Sequence, residues 1–157
     1  MKIGLFGYGK MGKMIEQIAQ ERGHTIVAKI DAGMKDIDFN SMDVAIDFST
    51  PDAAFENITS CFKNSVPIIS GTTGWLTNYA DAVELCQKNN GAFIYASNFS
   101  LGVNIFFELN AHLARMMAGL EQYKVSMEEI HHTQKLDAPS GTAITLAEGI
   151  IKNSSYE

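Results

Sequence analysis

The sequence predicts an α/β fold, a parallel sheet with helices on both faces, followed by the start of an α+β unit. Three features point to it. Short apolar runs alternate with segments of helical period as far as residue 96, the pattern of strand–helix–strand units. Each run is nearly continuous in apolar residues, as a strand covered on both faces requires. After Asn98 the texture changes to two longer helical patterns and one alternating stretch.

In order, residues 2–6 (KIGLF) form the first strand, stopped by Gly7. Residues 11–22 form a helix, with Met14, Ile15 and Ile18 at helical spacing. Residues 24–30 (HTIVAKI) are a second strand ending at Asp31, and residues 43–48 (DVAIDF) a third. Residues 52–63 are helical, with Pro51 placed near the first turn, where its missing N–H is not needed. A fourth strand (66–70, VPIIS), a helix (76–89) ending near Asn90-Gly91 and a fifth strand (92–96, AFIYA) follow. A boundary near residues 98–102 divides the chain into 1–99 and 100–157. Beyond it come a helix at 103–118, a strand at 123–132 and a last helix at 140–152. In that strand Tyr123, Val125 and Met127 share one face, and Lys124, Ser126 and Glu128 the other. One strand and two helices make a thin core, so the second unit reads as the incomplete N-terminal part of a domain.

Composition narrows the function classes. The 157 residues are 46% hydrophobic and 19% charged, values of an ordinary globular chain. No run approaches the roughly 18 apolar residues of a membrane span. MKIGLFGYGK lacks the apolar centre of a signal peptide, so a cytoplasmic protein without a membrane partner is expected. A net charge of −6 without a basic block argues against nucleic acid. Cys61 and Cys86 form no CxxC or Cys/His cluster, so neither a disulfide framework nor a metal site is expected.

Gly7-Tyr8-Gly9-Lys10-Met11-Gly12 is GxGxxG, which is weak alone but here ends a strand and opens a helix. Gly7 permits the tight turn, Gly9 lets the backbone approach a pyrophosphate, and Gly12 lets the helix pack on the strand. The anion would sit on the helix N-terminus. Asp31 lies nineteen residues after Gly12, at the end of the second strand, where an acid holds the ribose 2′-hydroxyl. The sheet is therefore of Rossmann type and its ligand a nicotinamide dinucleotide. With no arginine beside it, Asp31 favours NAD over NADP; nearby Lys35 keeps the choice open.

In such sheets ligands bind beyond the carboxyl ends of the strands. There the sequence places Asp47-Phe48-Ser49-Thr50-Pro51, Gly71-Thr72-Thr73-Gly74-Trp75 and Ala96-Ser97-Asn98-Phe99. Ordinary turn chemistry explains any one of these loops; together they suit a wall around a nicotinamide ring.

The stretch HHTQKLDAPSGTA (131–143) crowds two histidines and a lysine against a helix start. Ser140 can cap, leaving the N–H groups of Gly141 and Thr142 to grip a carboxylate. A capped helix after a polar loop is the plainer reading. The convergence of His131, His132 and Lys135 on an anion site favours an anionic substrate protonated as hydride arrives. On an extended strand the two histidines point to opposite faces, so only one faces a given cleft.

GYGKMG, DFSTP, GTTGW, ASNFSLGVN and EEIHHTQKLDAPSGTA, in that order, resemble the 4-hydroxy-tetrahydrodipicolinate (dihydrodipicolinate) reductase family from Lys2 to about Gly149. The resemblance implies reduction of 4-hydroxy-tetrahydrodipicolinate to tetrahydrodipicolinate by NADH or NADPH, in lysine and diaminopimelate biosynthesis. It implies a cyclic dicarboxylate substrate and a homotetramer. Gly7, Gly9, Lys10, Met11 and Gly12 then bind the pyrophosphate and Asp31 the adenosine ribose. Phe48, Gly71, Thr72, Thr73, Ala96, Ser97, Asn98 and Phe99 flank the nicotinamide side. His131 matches the acid/base position, Lys135 the proton donor and His132 a substrate contact; Gly141 and Thr142 match the carboxylate grip. Family members continue past the DAPSGTA helix. The expectation is an active reductase or the N-terminal part of one, against an inactive dinucleotide-binding fragment. An aspartate or homoserine dehydrogenase relative fits the HHTQKLDAPSGTA run poorly.

Overall fold

A computed structural model describes residues 1–31, 33–34, 36–131, 133 and 138–155. The chain forms two compact units, Met1–Ala96 and Ser97–Glu157. Among the described residues, no helix is long and apolar enough to cross a membrane.

The first unit is a five-stranded parallel sheet with strands β1 (Lys2–Phe6), β2 (Thr25–Ile30), β3 (Val44–Asp47), β4 (Ile68–Ser70) and β5 (Phe93–Tyr95) in the order β2-β1-β3-β4-β5. Helices α1 (Lys10–Glu21), α2 (Pro51–Lys63) and α3 (Tyr79–Lys88) make the crossovers. The strand order reverses between β1 and β3, which opens a crevice at their carboxyl ends. In register, Ile3 lies beside Val44 and Phe6 beside Asp47, so the loops after β1 and β3 leave the sheet side by side.

Alternation along the strands splits the core between two faces. Ile3 and Leu5 pack with Ala19 of α1, supported by Val44 and Ile46. Phe6 and Ala45 face the opposite layer, with Ala54, Ile58, Cys61 and Phe62 of α2 and Ala82 of α3. Phe62 meets Phe93 edge-on at 5.7 Å between centroids, and Trp75 meets Tyr95 edge-on at 5.6 Å. Both are geometries that aromatic quadrupoles favour. Burial, and secondarily the Asp47 carboxylate, pushes the Cys61 thiol up to about 12. Cys61 is therefore a core residue and not a nucleophile.

The segment read from sequence as one helix over 76–89 is a short 3-10 turn, Leu76–Asn78, followed by α3. Strands at 66–70 and 92–96 are shorter than expected. Pro67 has no N–H to donate, and pairing begins at Ile68.

The second unit holds α4 (Leu101–Met117) and α5 (Gly141–Asn153) packed on each other. The Asn110 side-chain amide donates to the Leu146 carbonyl at 2.9 Å, and Arg115 donates to Asn153 Oδ1 at 3.0 Å. A Cβ at Gly149 would stand 3.1 Å from Asn110 Nδ2, so the close crossing uses its missing side chain. The strand expected over 123–132 is corrected. Its described residues, 123–131, carry no strand, and Tyr123, Val125 and Met127 are exposed. An isolated extended segment has no ladder to satisfy its backbone, and alternation alone supplies no neighbour.

Candidate functional site

The glycine loop is held from both sides. Gly7 takes φ +85°, and an added Cβ would stand 2.2 Å from the Phe48 carbonyl oxygen, so only glycine fits between β1 and the β3 loop. A Cβ at Gly12 would stand 2.4 Å from the Gly7 oxygen, so α1 approaches the loop as closely as backbone allows. A Cβ at Gly9 would meet nothing within 4 Å and would project into open space. The Tyr8 N–H donates to Asp31 Oδ1 at 2.9 Å, which ties the loop to the end of β2. On its outer side the Tyr8 hydroxyl bonds Glu16, and Lys29 pairs with Glu16 at 2.8 Å over the Tyr8 ring. The Lys29 and Tyr8 hydrogen bonds hold Glu16 below the usual carboxylate range, and hydrogen bonds to Glu16 and then to the Tyr8 hydroxyl hold Lys29 above the usual ammonium range.

Two cavities open on this loop. One, of about 460 Å³, is bounded by Gly9, Lys10 and Met11, by Phe48, Ser49 and Pro51, and by Gly71, Thr72 and Thr73. The other, of about 810 Å³, is bounded by Gly7, Tyr8 and Gly9, by Ile30, Asp31, Met34 and Ile37, and by the start of α2, including Asp52 and Glu56. Gly9, Phe48 and Ser49 border both. The smaller cavity thus gathers seven of the predicted cofactor residues, and the larger takes Gly7 and Asp31. Gly12 stands behind, in the first turn of α1. The Phe48 ring covers Gly71, where a Cβ would stand 2.3 Å from it. Trp75 is buried, and its indole N–H donates to the Thr72 carbonyl at 2.8 Å.

An open backbone cradle at Gly9, a carboxylate at the end of β2 and an apolar pocket of Ile30, Met34 and Ile37 fit the pyrophosphate, ribose and adenine of a dinucleotide. Among the described residues, no cluster of His, Cys, Asp or Glu could hold a metal ion.

Of the last predicted cofactor loop, Ala96 follows β5 and donates from its N–H to the Ser70 carbonyl at 3.3 Å. Ser97, Asn98 and Phe99 open the second unit. There Asn98 Oδ1 accepts from the Ser100 N–H at 2.8 Å, and Ser100 caps α4.

In the second unit, Ser140 caps α5 by accepting from the Ala143 N–H at 3.1 Å. Gly141 and Thr142 are the first residues of that helix. His131 Nε2 lies 3.0 Å from Glu129 Oε2. Glu129 also accepts from the Ser140 hydroxyl at 2.6 Å and the Ser140 N–H at 2.9 Å. The Ser140 hydroxyl, then His131, then the Ser140 N–H hold the Glu129 carboxyl down to about 2. Predicted residues His132 and Lys135 lie outside the described residues.

Sequence reasoning gives no role to Glu129, and it puts Asp47 in the wall of the cleft with its loop, whereas Asp47 borders neither cavity. Glu129 is two residues before His131, on the same face of an extended chain, and that spacing was the available signal. Asp47 is a lone acid at the end of an apolar strand and is fully buried. A buried acid demands partners, but the sequence does not say which.

The family model described as dihydrodipicolinate reductase, N-terminus, matches residues 1–99, and the model for its C-terminus matches residues 102–157. The 4-hydroxy-tetrahydrodipicolinate reductase of Christiangramia forsetii is 62% identical over 157 residues, covering 99% of this chain and 66% of that protein. The protein of the same name from Thermosipho africanus is 38% identical over 149 residues, covering 93% and 65%. A solved structure, the dipicolinate-bound dihydrodipicolinate reductase of Paenisporosarcina sp. TG-14, is 28% identical with a TM-score of 0.70, covering all of this chain and 68% of that one. The chain thus spans about two thirds of the length of these relatives.

Proposed function

This chain belongs to the dihydrodipicolinate reductase family, and on that basis we propose that it carries the cofactor site and proton-transfer segment of an NAD(P)H-dependent 4-hydroxy-tetrahydrodipicolinate reductase. The observation that carries the proposal is the cleft at the β1/β3 switch point. There the glycine loop, Asp31 and the Gly71–Thr73 loop border adjoining cavities. Such a cleft suits a dinucleotide laid across the strand ends, with adenosine over Asp31 and nicotinamide toward Thr72 and Thr73.

When bound, the nicotinamide supplies hydride. The chain's own residues bind, orient and protonate. Backbone N–H groups at the start of α1 take the pyrophosphate. Phe48 over Gly71 shapes the wall on the nicotinamide side. Gly141 and Thr142, at the start of α5, grip a carboxylate of the cyclic substrate, while Glu129 orients His131 and Lys135 donates the proton. We extend the proposal to NADH as the preferred cofactor. Asp31, Asp52 and Glu56 all border the larger cavity, and three carboxylates oppose a 2′-phosphate. The homotetramer and the cytoplasmic location that the resemblance implies are part of the same proposal.

The test is to titrate the chain with NADH, then add synthase-generated substrate and follow nicotinamide absorbance. Saturable binding followed by oxidation supports the reductase. Binding without oxidation leaves a dinucleotide-binding module, and absence of binding removes the cofactor reading.

A further inference from the structure

Among the described residues of the first unit, Asp47 is the most completely enclosed charged side chain, with an exposure of 0%, and it borders neither cavity. Its carboxylate lies behind the loops that do. Oδ1 accepts from the Ser49 hydroxyl at 2.6 Å and from the Asn57 amide at 3.2 Å. Oδ2 accepts from the Ser70 hydroxyl and the Thr72 hydroxyl, each at 2.7 Å. The hydroxyls in turn accept from the chain around them. Thr72 Oγ1 takes the Ser49 N–H at 2.9 Å, Ser70 Oγ takes the Thr72 N–H at 3.3 Å, and Ser49 Oγ takes the Asn57 amide at 3.1 Å. Three hydroxyl protons therefore point inward to one carboxylate, and two loop N–H groups are held by the same hydroxyls.

This is an expensive way to stabilise a fold. Burying a carboxylate costs more than burying an apolar side chain of the same size, and an apolar replacement in such a place is often neutral or stabilising. What the network adds is definition. It joins the loop after β3 (Ser49) to the loop after β4 (Thr72) through the end of β4 and through α2. Both loops line the smaller cavity. The opposite side of the cleft is braced separately, by the Tyr8 N–H on Asp31.

We propose that Asp47 is a positioning residue. Without touching ligand, it fixes the Ser49 and Thr72 loops in the one arrangement that receives the nicotinamide half of the dinucleotide. The proposal rests on the dinucleotide reading of this cleft. It assigns Asp47 a task separate from that of Asp31, which serves the adenosine half.

The test separates the two halves. Asp47→Asn keeps the shape but not the acceptor set. Its oxygen can replace only one carboxylate oxygen, and its NH₂ then faces donors on the other side. On the Oδ1 side it meets the Asn57 NH₂, which has no lone pair to offer. Affinities of the full chain for NADH and for ADP-ribose, which lacks the nicotinamide, are measured by calorimetric titration, with far-UV circular dichroism to verify folding. The expected result is a loss of NADH affinity of roughly tenfold to a hundredfold, the scale of one buried group left unpaired, with ADP-ribose affinity changed less than about threefold. Ser70→Ala removes one of the four donors to Asp47 and the long acceptor contact to the Thr72 N–H, borders neither cavity, and should shift the same ratio in the same direction by a smaller factor. If Asp47→Asn does not fold, Ser70→Ala decides by that ratio. A folded variant that loses both ligands equally, or neither, overturns the positioning role. Wild-type chain that binds neither ligand removes the dinucleotide reading itself, and this inference with it.

Discussion

Replacing Gly12 by alanine tests the closest contact in the glycine loop. The new Cβ would stand 2.4 Å from the Gly7 carbonyl oxygen and 3.3 Å from its carbon, where ordinary contact begins at 3.4 Å. The start of α1 must therefore retreat from the loop by about 1 Å to reach ordinary van der Waals separation. Overpacking of this kind costs about 1–3 kcal/mol. Alanine returns up to about 1 kcal/mol over glycine in a helix. The net destabilisation is about 1 kcal/mol, which lowers the midpoint of a unit this size by about 4–8 °C. Binding should suffer more than stability. Backbone donors must reach a phosphate oxygen at about 2.7–3.2 Å, and a 1 Å retreat takes them out of range. Thermal denaturation gives the first quantity, and NADH titration monitored through Trp75 fluorescence gives the second. A loss of at least roughly tenfold in affinity is expected. Unchanged affinity together with an unchanged or raised midpoint would refute the close-approach reasoning. Gly12→Val, bulkier at the same contact, should abolish binding.

On the proposed role of Asp31, in which its carboxylate takes a free 2′-hydroxyl and opposes a 2′-phosphate, Asp31→Ala should weaken NADH more than NADPH; equal weakening in paired titrations would detach Asp31 from the ribose. Lys135→Ala should reduce turnover by roughly 10²–10⁴-fold, the usual worth of a positioned proton donor, while leaving the NADH dissociation constant in place. An unchanged rate would end the proton-donor assignment. Glu129 has a folded-state value of about 2 against an ordinary 4.5, so its contribution to stability is present above about pH 4.5 and is lost as pH falls through about 2. Melting curves across that window should show the wild-type chain losing more stability than Glu129→Gln; parallel curves would mean that the Ser140 and His131 contacts do not hold in solution.

How far the fold could be read from sequence follows from how local each signal is. β1 was legible because a short apolar run meets a glycine that must take positive φ. The helix starting at Pro51 was legible because proline fits a first turn. The glycine loop, Asp31 and the Ser140 cap each lie within one local pattern, and each stands where the pattern put it. The stretch from Tyr123 reads as a strand in the sequence, and its described residues carry none, because alternation reports two faces but not whether another strand lies alongside. The buried place of Asp47 behind its loop is not legible for a related reason. Its partners Ser70 and Thr72 are 23 and 25 residues away, and only the parallel pairing of β3 with β4 brings them to it.

The strand order also sets a schedule for assembly. β1 is made first but occupies an inner place, and its second neighbour, β3, is not made until residue 47. Until then the glycine loop has β2 and α1 beside it but no wall across from it. Synthesis must proceed to β4 before Thr72 exists to close the smaller cavity. Every pairing in the sheet joins segments separated by a crossover, so loop-closure entropy is met before the contacts that offset it form, and closure is correspondingly slow. During synthesis the cleft is therefore half-built for a time: its glycine loop is complete well before the Thr72 wall that faces it.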